Sequence, residues 1–337
     1  MTTYISRRTV LSRSVLTATA CIAAPSIVHA QSPRVLNLGF STPLDSDYGV
    51  FSTKFAQLVK ERMGGAVEVK IRCCATISTE DDAFKAMQLG TVDAYFVSQN
   101  NISPHFPLMD ILVLPYVLQG AAHVRKIREG GIADELADRL LKATGLHLLS
   151  WGPLSHRDFY NSKRPINDVK DLAGLKVRVP KNEVMIQTFR AFGAEPIPLA
   201  WSETPAALQT GAIDGSDNGT SVIKSMKFFE YSKHLAILEH FAGFAPLLAS
   251  PRFMNRLSPE QQRTLLQCAK EAGQLQITTV ESDVENIRKF LGENGMRITR
   301  PNQKSFINAV VPLQDKFVAE RGVDFKTMLA KIRAATA

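Results

Sequence analysis

Apolar positions recur first with a period of two and then with a helical period, and this exchange repeats along the chain. VLNLGF at 35–40 alternates and predicts a strand. STPLD at 41–45 reads as a loop. Phe51, Phe55, Leu58 and Val59 share one face of a helix over 51–63, which Gly64-Gly65 closes. VEVKI at 67–71 alternates again. Thr79-Glu80-Asp81-Asp82 caps a helix that runs to Leu89 and stops at Gly90. A third strand is predicted over 92–97. Strands and helices exchanged through short loops imply a parallel α/β sheet.

The pattern then recurs with other lengths. Strands are predicted over 146–151, 157–162, 176–179 and 195–199, a helical turn over 168–172, and helices over 183–192 and 201–210. Ala212-Ile213 is strand-like, and Asp214-Gly215-Ser216-Asp217-Asn218-Gly219 reads as a loop after it. Ser258-Pro259-Glu260-Gln261 combines an N-cap, a proline in the first turn and a glutamine three residues on. Helical periodicity follows to about residue 291 with Gly295 as its stop, some ~45 Å at 1.5 Å per residue. Such a helix exceeds what one lobe needs and is expected to bridge two.

The length of 337 residues suits about two domains. With 45% hydrophobic and 21% charged residues, disordered, collagen-like and coiled-coil chains are excluded. No purely apolar run is long enough to make the body of the chain a membrane protein. The N-terminus differs from the rest. Ser6-Arg7-Arg8-Thr9-Val10-Leu11, a short apolar stretch over 15–24 and Val28-His29-Ala30 form a basic region, a hydrophobic region and a small-residue cleavage site. This predicts export to the periplasm with cleavage near Ala30. The arginine pair favours the twin-arginine route, the general secretory route stays open, and Cys21 leaves a lipoprotein as an alternative.

Lys+Arg number 40 against 32 Asp+Glu, but the densest basic run, Arg125-Lys126-Ile127-Arg128, is short and reads as a solvated helix face, so no nucleic-acid partner is expected. Cys73 and Cys74, adjacent on an apparent strand, would point to opposite faces; buried free thiols are expected there and at Cys268, with a Cys268 bridge as the alternative. No histidine pair spaced i, i+4 and no Cys-x-x-Cys occurs, so no metal or cofactor is expected.

In α/β sheets ligands sit at the carboxyl ends of strands. Arg178 lies near the end of KVRVP, Arg157 at the head of the strand opening the second unit, and Asn218 beyond Ala212-Ile213. A guanidinium between Val177 and Val179 presents a planar fork that cannot lose its charge, which suits a carboxylate. That carboxylate could be a ligand's, or it could be internal, from Asp217, Asp214 or Glu203.

DVKDLAGLKVRVP (168–180), PLAWSETPAALQTGAIDG (198–215), FKAMQLGTVDAYFVS (84–98) and LMDILVLPYV (108–117) together resemble the solute-binding proteins of tripartite ATP-independent periplasmic (TRAP) transporters, the DctP family. The likeness extends over the chain beyond its first thirty residues. It implies an α/β, two-lobed periplasmic-binding-protein fold with a hinge and one long helix across both lobes. The expected division is 1–30 signal peptide, 31–154 with about 244–284 as lobe I, and 155–243 with about 285–337 as lobe II. It also implies a monomeric receptor, not an enzyme, that holds a small organic acid through Arg178 and delivers it to a membrane permease. Arg157 maps to the family's second arginine and Asn218 to its loop asparagine. Asp217 stands where Glu is usual and Gly219 where Pro is common. Trp201, Glu80, Ser98 and Thr42 complete the candidate ligand contacts. Each also has a plainer reading: Asn218-Gly219 as a turn, Glu80 as a helix-terminus charge, Trp201 as core. His240 and Phe244 are expected in hinge or core packing. A receptor feeding a sensor kinase, a receptor of an ATP-driven transporter, and an enzyme on the same fold are the competing classes. The sequence carries no Gly-x-Ser-x-Gly, Walker or Gly-x-Gly-x-x-Gly motif to support the last.

Overall fold

The computed structural model describes residues 33–152 and 154–335; the expected export signal at 1–30 lies outside them. In chain order the first elements are β1 (Arg34–Gly39), α1 (Asp47–Arg62), β2 (Val67–Arg72), α2 (Glu80–Leu89), β3 (Ala94–Phe96), α3 (Gln99–Ile102), a 3-10 turn (Pro107–Leu112), α4 (Gly120–Glu129), α5 (Ile132–Thr144) and β4 (His147–Ser150). There follow β5 (Leu154–Asn161), a 3-10 turn (Val169–Leu172), β6 (Lys176–Val179), α6 (Glu183–Ala191), β7 (Glu195–Pro198), a 3-10 turn (Trp201–Glu203), α7 (Thr204–Thr210), β8 (Gly215–Gly219) and α8 (Thr220–Ser225). After a 3-10 turn (Phe228–Glu230) come β9 (His234–Phe244), β10 (Leu247–Ala249), α9 (Pro251–Met254), α10 (Pro259–Glu293), β11 (Arg297–Thr299), α11 (Gln303–Glu320) and α12 (Gly322–Ala334).

The strands make two sheets, one per lobe. The first has the order β2-β1-β3-β10-β4 and the second β11-β9-β5-β8-β6-β7. Alternation buries Leu36 and Leu38 of β1 against Phe51 and Phe55 of α1, which is what period-two and helical patterns facing each other accomplish. The chain leaves the first sheet after β4, builds most of the second, and returns through β9 into β10, which pairs antiparallel to both β3 and β4. The strand pair β5–β9 therefore carries the crossing between lobes. Its register shifts between Arg157 and Phe159.

Helix α10 spans both lobes as its length predicts. Ser258 and Gln261 close a reciprocal capping box at its start. Leu265, Cys268 and Ala272 pack in the first-lobe core, whereas Ile287 and Leu291 pack in the second. Between them Arg288 binds Asp158 Oδ2 at 3.0 Å, Glu239 Oε1 at 2.8 Å and Glu285 Oε1 at 2.7 Å. Asp158 sits on the crossing strand; burial pushes its carboxyl up to about 7 despite the guanidinium beside it. Glu239 holds a left-handed φ of 50° on β9, so the long helix is fastened to the irregular part of the crossing.

Three expectations need correction. Residues 214–219 are not a loop: Gly215–Gly219 is strand β8, between β5 and β6. Its Asp-Gly and Asn-Gly pairs look like turns, but both glycines serve close packing, since a Cβ at Gly215 would meet the Tyr160 carbonyl and one at Gly219 the Ser155 hydroxyl. The C-terminal stretch does not stay with lobe II. α11 packs on α6, but α12 returns to the first-lobe side: Lys331 pairs with Glu135 at 2.6 Å and His123 Nε2 lies 2.8 Å from the Ile332 carbonyl. Finally, β2 ends at Arg72, and Cys74 turns the chain with φ 63° rather than continuing the strand. All three cysteines in the described residues are free, with Cys268 buried, Cys73 half-buried and Cys74 exposed.

Candidate functional site

The two lobes close on a cavity lined from both sides. Thr42, Glu80 and Ser98 line it from the first lobe, and Arg157, Arg178, Trp201 and Asn218 from the second. The structure thus brings all seven candidate residues to one place. The space open to the centre of a water molecule is about 60 Å³. One water needs about 10–15 Å³ on that measure, so the cavity has room for more than one water.

Strand β6 explains the placement of Arg178. Val177 and Val179 point into the second-lobe core, so the residue between them faces the cleft. Arg178 is 3% exposed. Its Nε and Nη2 donate to one neutral acceptor, the Leu199 carbonyl, at 3.1 and 2.8 Å. The Trp201 ring centroid lies 5.6 Å from its guanidinium carbon. Among the described residues no carboxylate lies within ion-pair distance of Arg178. The three internal acids considered from sequence are engaged elsewhere. Asp214 accepts the Lys176 N–H at 2.8 Å, Glu203 accepts the Ala200 N–H at 3.0 Å, and Asp217 binds Arg157. Burial, and then the charge of Arg157, lower the Arg178 pKa from its ordinary value. The side chain is therefore a desolvated cation held in place without a counter-ion of its own.

Arg157 is built differently. It lies within β5, opposite Gly219 of β8. Its Nε donates to Asp217 Oδ2 at 2.6 Å, and its Nη2 to Asp217 Oδ1 at 3.1 Å and to the Asp217 carbonyl at 2.6 Å. His240 Nε2, on β9, lies 3.3 Å from the same Oδ2. Burial opposes both charges, yet each partner outweighs it: the Arg157 pKa rises and that of Asp217 falls well below the usual carboxylate range. Asn218 follows on β8, its Oδ1 accepting the Gly219 N–H at 2.9 Å.

The first-lobe wall is acidic and hydroxylated. Glu80 opens α2, where Thr79 caps the helix, and its Oε1 accepts the Ser98 N–H at 2.7 Å and the Ser98 hydroxyl. Burial pushes the Glu80 carboxyl up, and the Ser98 bonds offset part of that rise. Thr42 Oγ1 lies 2.7 Å from Ser46 Oγ, and Ser41 Oγ lies 2.9 Å from Tyr95 Oη. Asp47, Tyr48, Asn101 and Ser155 also line the cavity, and sequence reasoning passed over them. Burial likewise raises the Asp47 carboxyl. Asp47 and Tyr48 begin α1 just past the carboxyl end of β1, so the strand-end rule applied to the first strand would have found them. Cations on one wall and carboxyls on the other give the cavity a built-in polarity.

Residues 40–321 match the model of the bacterial extracellular solute-binding protein family 7, DctP. The chain belongs to this family. Among its relatives, the 2,3-diketo-L-gulonate-binding periplasmic protein YiaO of Escherichia coli is 31% identical over 299 residues, covering 88% of this chain and 89% of that protein. A TRAP periplasmic solute-binding protein from Polaromonas sp. JS666, solved with D-erythronate, superposes with a TM-score of 0.86 at 32% identity, over 90% of this chain and 99% of that one. Another, from Bordetella bronchispeptica and with density described as pantoate, gives 0.86 at 27% identity over 90% and 100%. The DctP fold of two α/β lobes is shared, and the family's members are receptors of TRAP transport.

Proposed function

We propose that this DctP protein captures a small polyhydroxylated monocarboxylate in the periplasm and presents it to a membrane permease. One observation carries the reading: Arg178 is buried in the interlobe cavity with no carboxylate among the described residues within ion-pair distance to neutralise it. A buried, unpaired guanidinium is costly, and an anionic solute relieves that cost while making two parallel hydrogen bonds. Arg157 already has Asp217, so it supplies donors and field rather than a free charge. On the opposite wall Glu80 and Asp47 accept hydrogen bonds from hydroxyls and repel a second carboxylate. That polarity favours a hydroxylated monoacid over a dicarboxylate. The relatives that bind D-erythronate and 2,3-diketo-L-gulonate support the same chemistry. Tyr48 and Phe96 of the first lobe, with Trp201 and Phe244, add aromatic surface beside these polar groups.

The protein is a receptor and not an enzyme on this reading: the site holds an anion fork and hydroxyl acceptors, and Arg157 and Asp217 are locked to each other instead of poised for proton transfer. Membership of the family and the N-terminal pattern support export of the chain and a permease partner. A thermal-shift screen of the chain from residue 31 onward, against aldonates, uronates, hydroxy acids and dicarboxylates, tests it. A ligand at 100 times its Kd adds about 2.7 kcal/mol of stability. Polyhydroxy monoacids are expected to shift the transition most; a larger shift by dicarboxylates, or no shift by any of the acids, contradicts the reading.

A further inference from the structure

Beside the cavity a second set of polar groups crosses from one lobe to the other. Asn182 caps α6, four residues after Arg178 and on the same continuous segment. Its Oδ1 accepts the Met185 N–H at 3.0 Å, which aims its amide nitrogen away from the helix. That nitrogen is received by the first-lobe segment after β3: the Asn100 carbonyl at 3.3 Å, Ser103 Oγ at 3.0 Å and Asp110 Oδ1 at 3.3 Å. All four residues are buried, and Asp110 is held in turn by Arg321, between α11 and α12, at 2.5 Å. Asn100 and Asn101 on one side and Pro180 on the other also line the cavity. The same short segment thus carries the Arg178 guanidinium and the amide that enters the first lobe.

We propose that Asn182 is a closure latch: a positioning residue that touches no solute but stabilises the closed arrangement by placing its amide donor in the Asn100–Ser103–Asp110 nest. Parting the lobes withdraws the amide from its three acceptors and returns Asp110 to Arg321 alone. Solute affinity then depends on the latch, because apparent Kd is the intrinsic Kd divided by the fraction of closure-competent protein. The inference rests on the receptor reading above and adds a residue outside the cavity to it.

Asn182→Asp tests it. Aspartate caps a helix about as well as asparagine, so α6 and ligand-free stability are retained, while the donor becomes a carboxylate facing Asp110. Binding of D-erythronate, by calorimetry, is expected to weaken by at least about tenfold, with small-angle scattering showing incomplete compaction at saturating solute. Adding Asp110→Asn exchanges donor and acceptor across the interface and is expected to restore affinity to within about threefold. Asn182→Ser, which keeps a cap but is too short to cross, is expected to weaken binding without that rescue. Unchanged affinity and full compaction in Asn182→Asp, with Arg178→Ala abolishing binding, overturns the latch alone. Unchanged affinity in Arg178→Ala overturns the receptor site, and the latch with it. Absence of D-erythronate binding by the unaltered protein, together with equal compaction of unaltered and Asn182→Asp protein under every acid of the thermal-shift panel, also counts against the latch.

Discussion

Two arginines reach the same cavity from the strands on either side of β8, and they differ in what surrounds them. Arg157 is clamped by Asp217 through a bidentate bond, with His240 behind it. Arg178 is equally withdrawn from water but rests on a neutral carbonyl. The first pair satisfies itself and belongs to the fold. The second leaves a charge unanswered by the fold, and on the proposed function a ligand answers it. A buried cation is thus no sign of a binding site until its partner is known.

The largest expected effect breaks the satisfied pair. Asp217→Asn leaves Arg157 charged and uncompensated, and should cost about 3–5 kcal/mol of folding stability, measured by urea denaturation. Arg178→Ala should leave stability near that of the unaltered protein, since it removes a charge that had no counter-ion. Equal destabilisation by both variants erases the distinction. Next, Arg178→Ala should weaken solute binding by about 2–5 kcal/mol in calorimetry, and Arg178→Lys should also weaken it, because an ammonium does not reproduce the fork.

The opposite wall sharpens the comparison by pH. Asp217 has its native pKa depressed, so its contribution is present above the ordinary aspartate range and is lost as pH falls through the native value; Asp217→Asn should flatten that acid limb of the stability curve. Glu80 has its native pKa raised by burial, so its ionisation costs the ligand-free fold. Stability should decline as pH climbs from the ordinary glutamate range through the raised value, and Glu80→Gln should remove that slope. Solute affinity should move the other way, rising as Glu80 ionises and becomes a better acceptor for hydroxyls. The smallest effect is expected from Ser98→Ala, which deletes one hydroxyl bond to Glu80, about 0.5–1.5 kcal/mol in affinity.

Regular elements with clean periodicity were legible in the sequence, from β1 and α1 to the capped α10. The failures share a cause: each segment obeys a tertiary demand that overrides its local signal. β8 reads GSDNG and looks like two turns, yet Ser216 bonds the Arg178 carbonyl and Asp217 holds Arg157, so this strand is polar because it serves the site. α12 is an ordinary amphipathic helix whose sequence does not say which lobe it covers; ion pairs to Glu135 and the Asp110–Arg321 bond decide that. Of the seven candidate residues that line the cavity, Arg178, Arg157, Asn218, Ser98 and Thr42 were legible from strand position together with the family resemblance, whereas Glu80 and Trp201, which open helical segments, came from the resemblance alone. Asp47 and Tyr48 were passed over because the helix there begins earlier than its first apolar residues suggest.

The most direct measurement is a crystal structure with the acid that stabilises the protein most in the thermal-shift screen. The account predicts that its carboxylate lies in the plane of the Arg178 guanidinium with two parallel hydrogen bonds, its hydroxyls facing Glu80 and Asp47, and Asp217 still on Arg157. Density for the acid away from Arg178, with that side chain paired to one of the protein's own carboxylates, contradicts it.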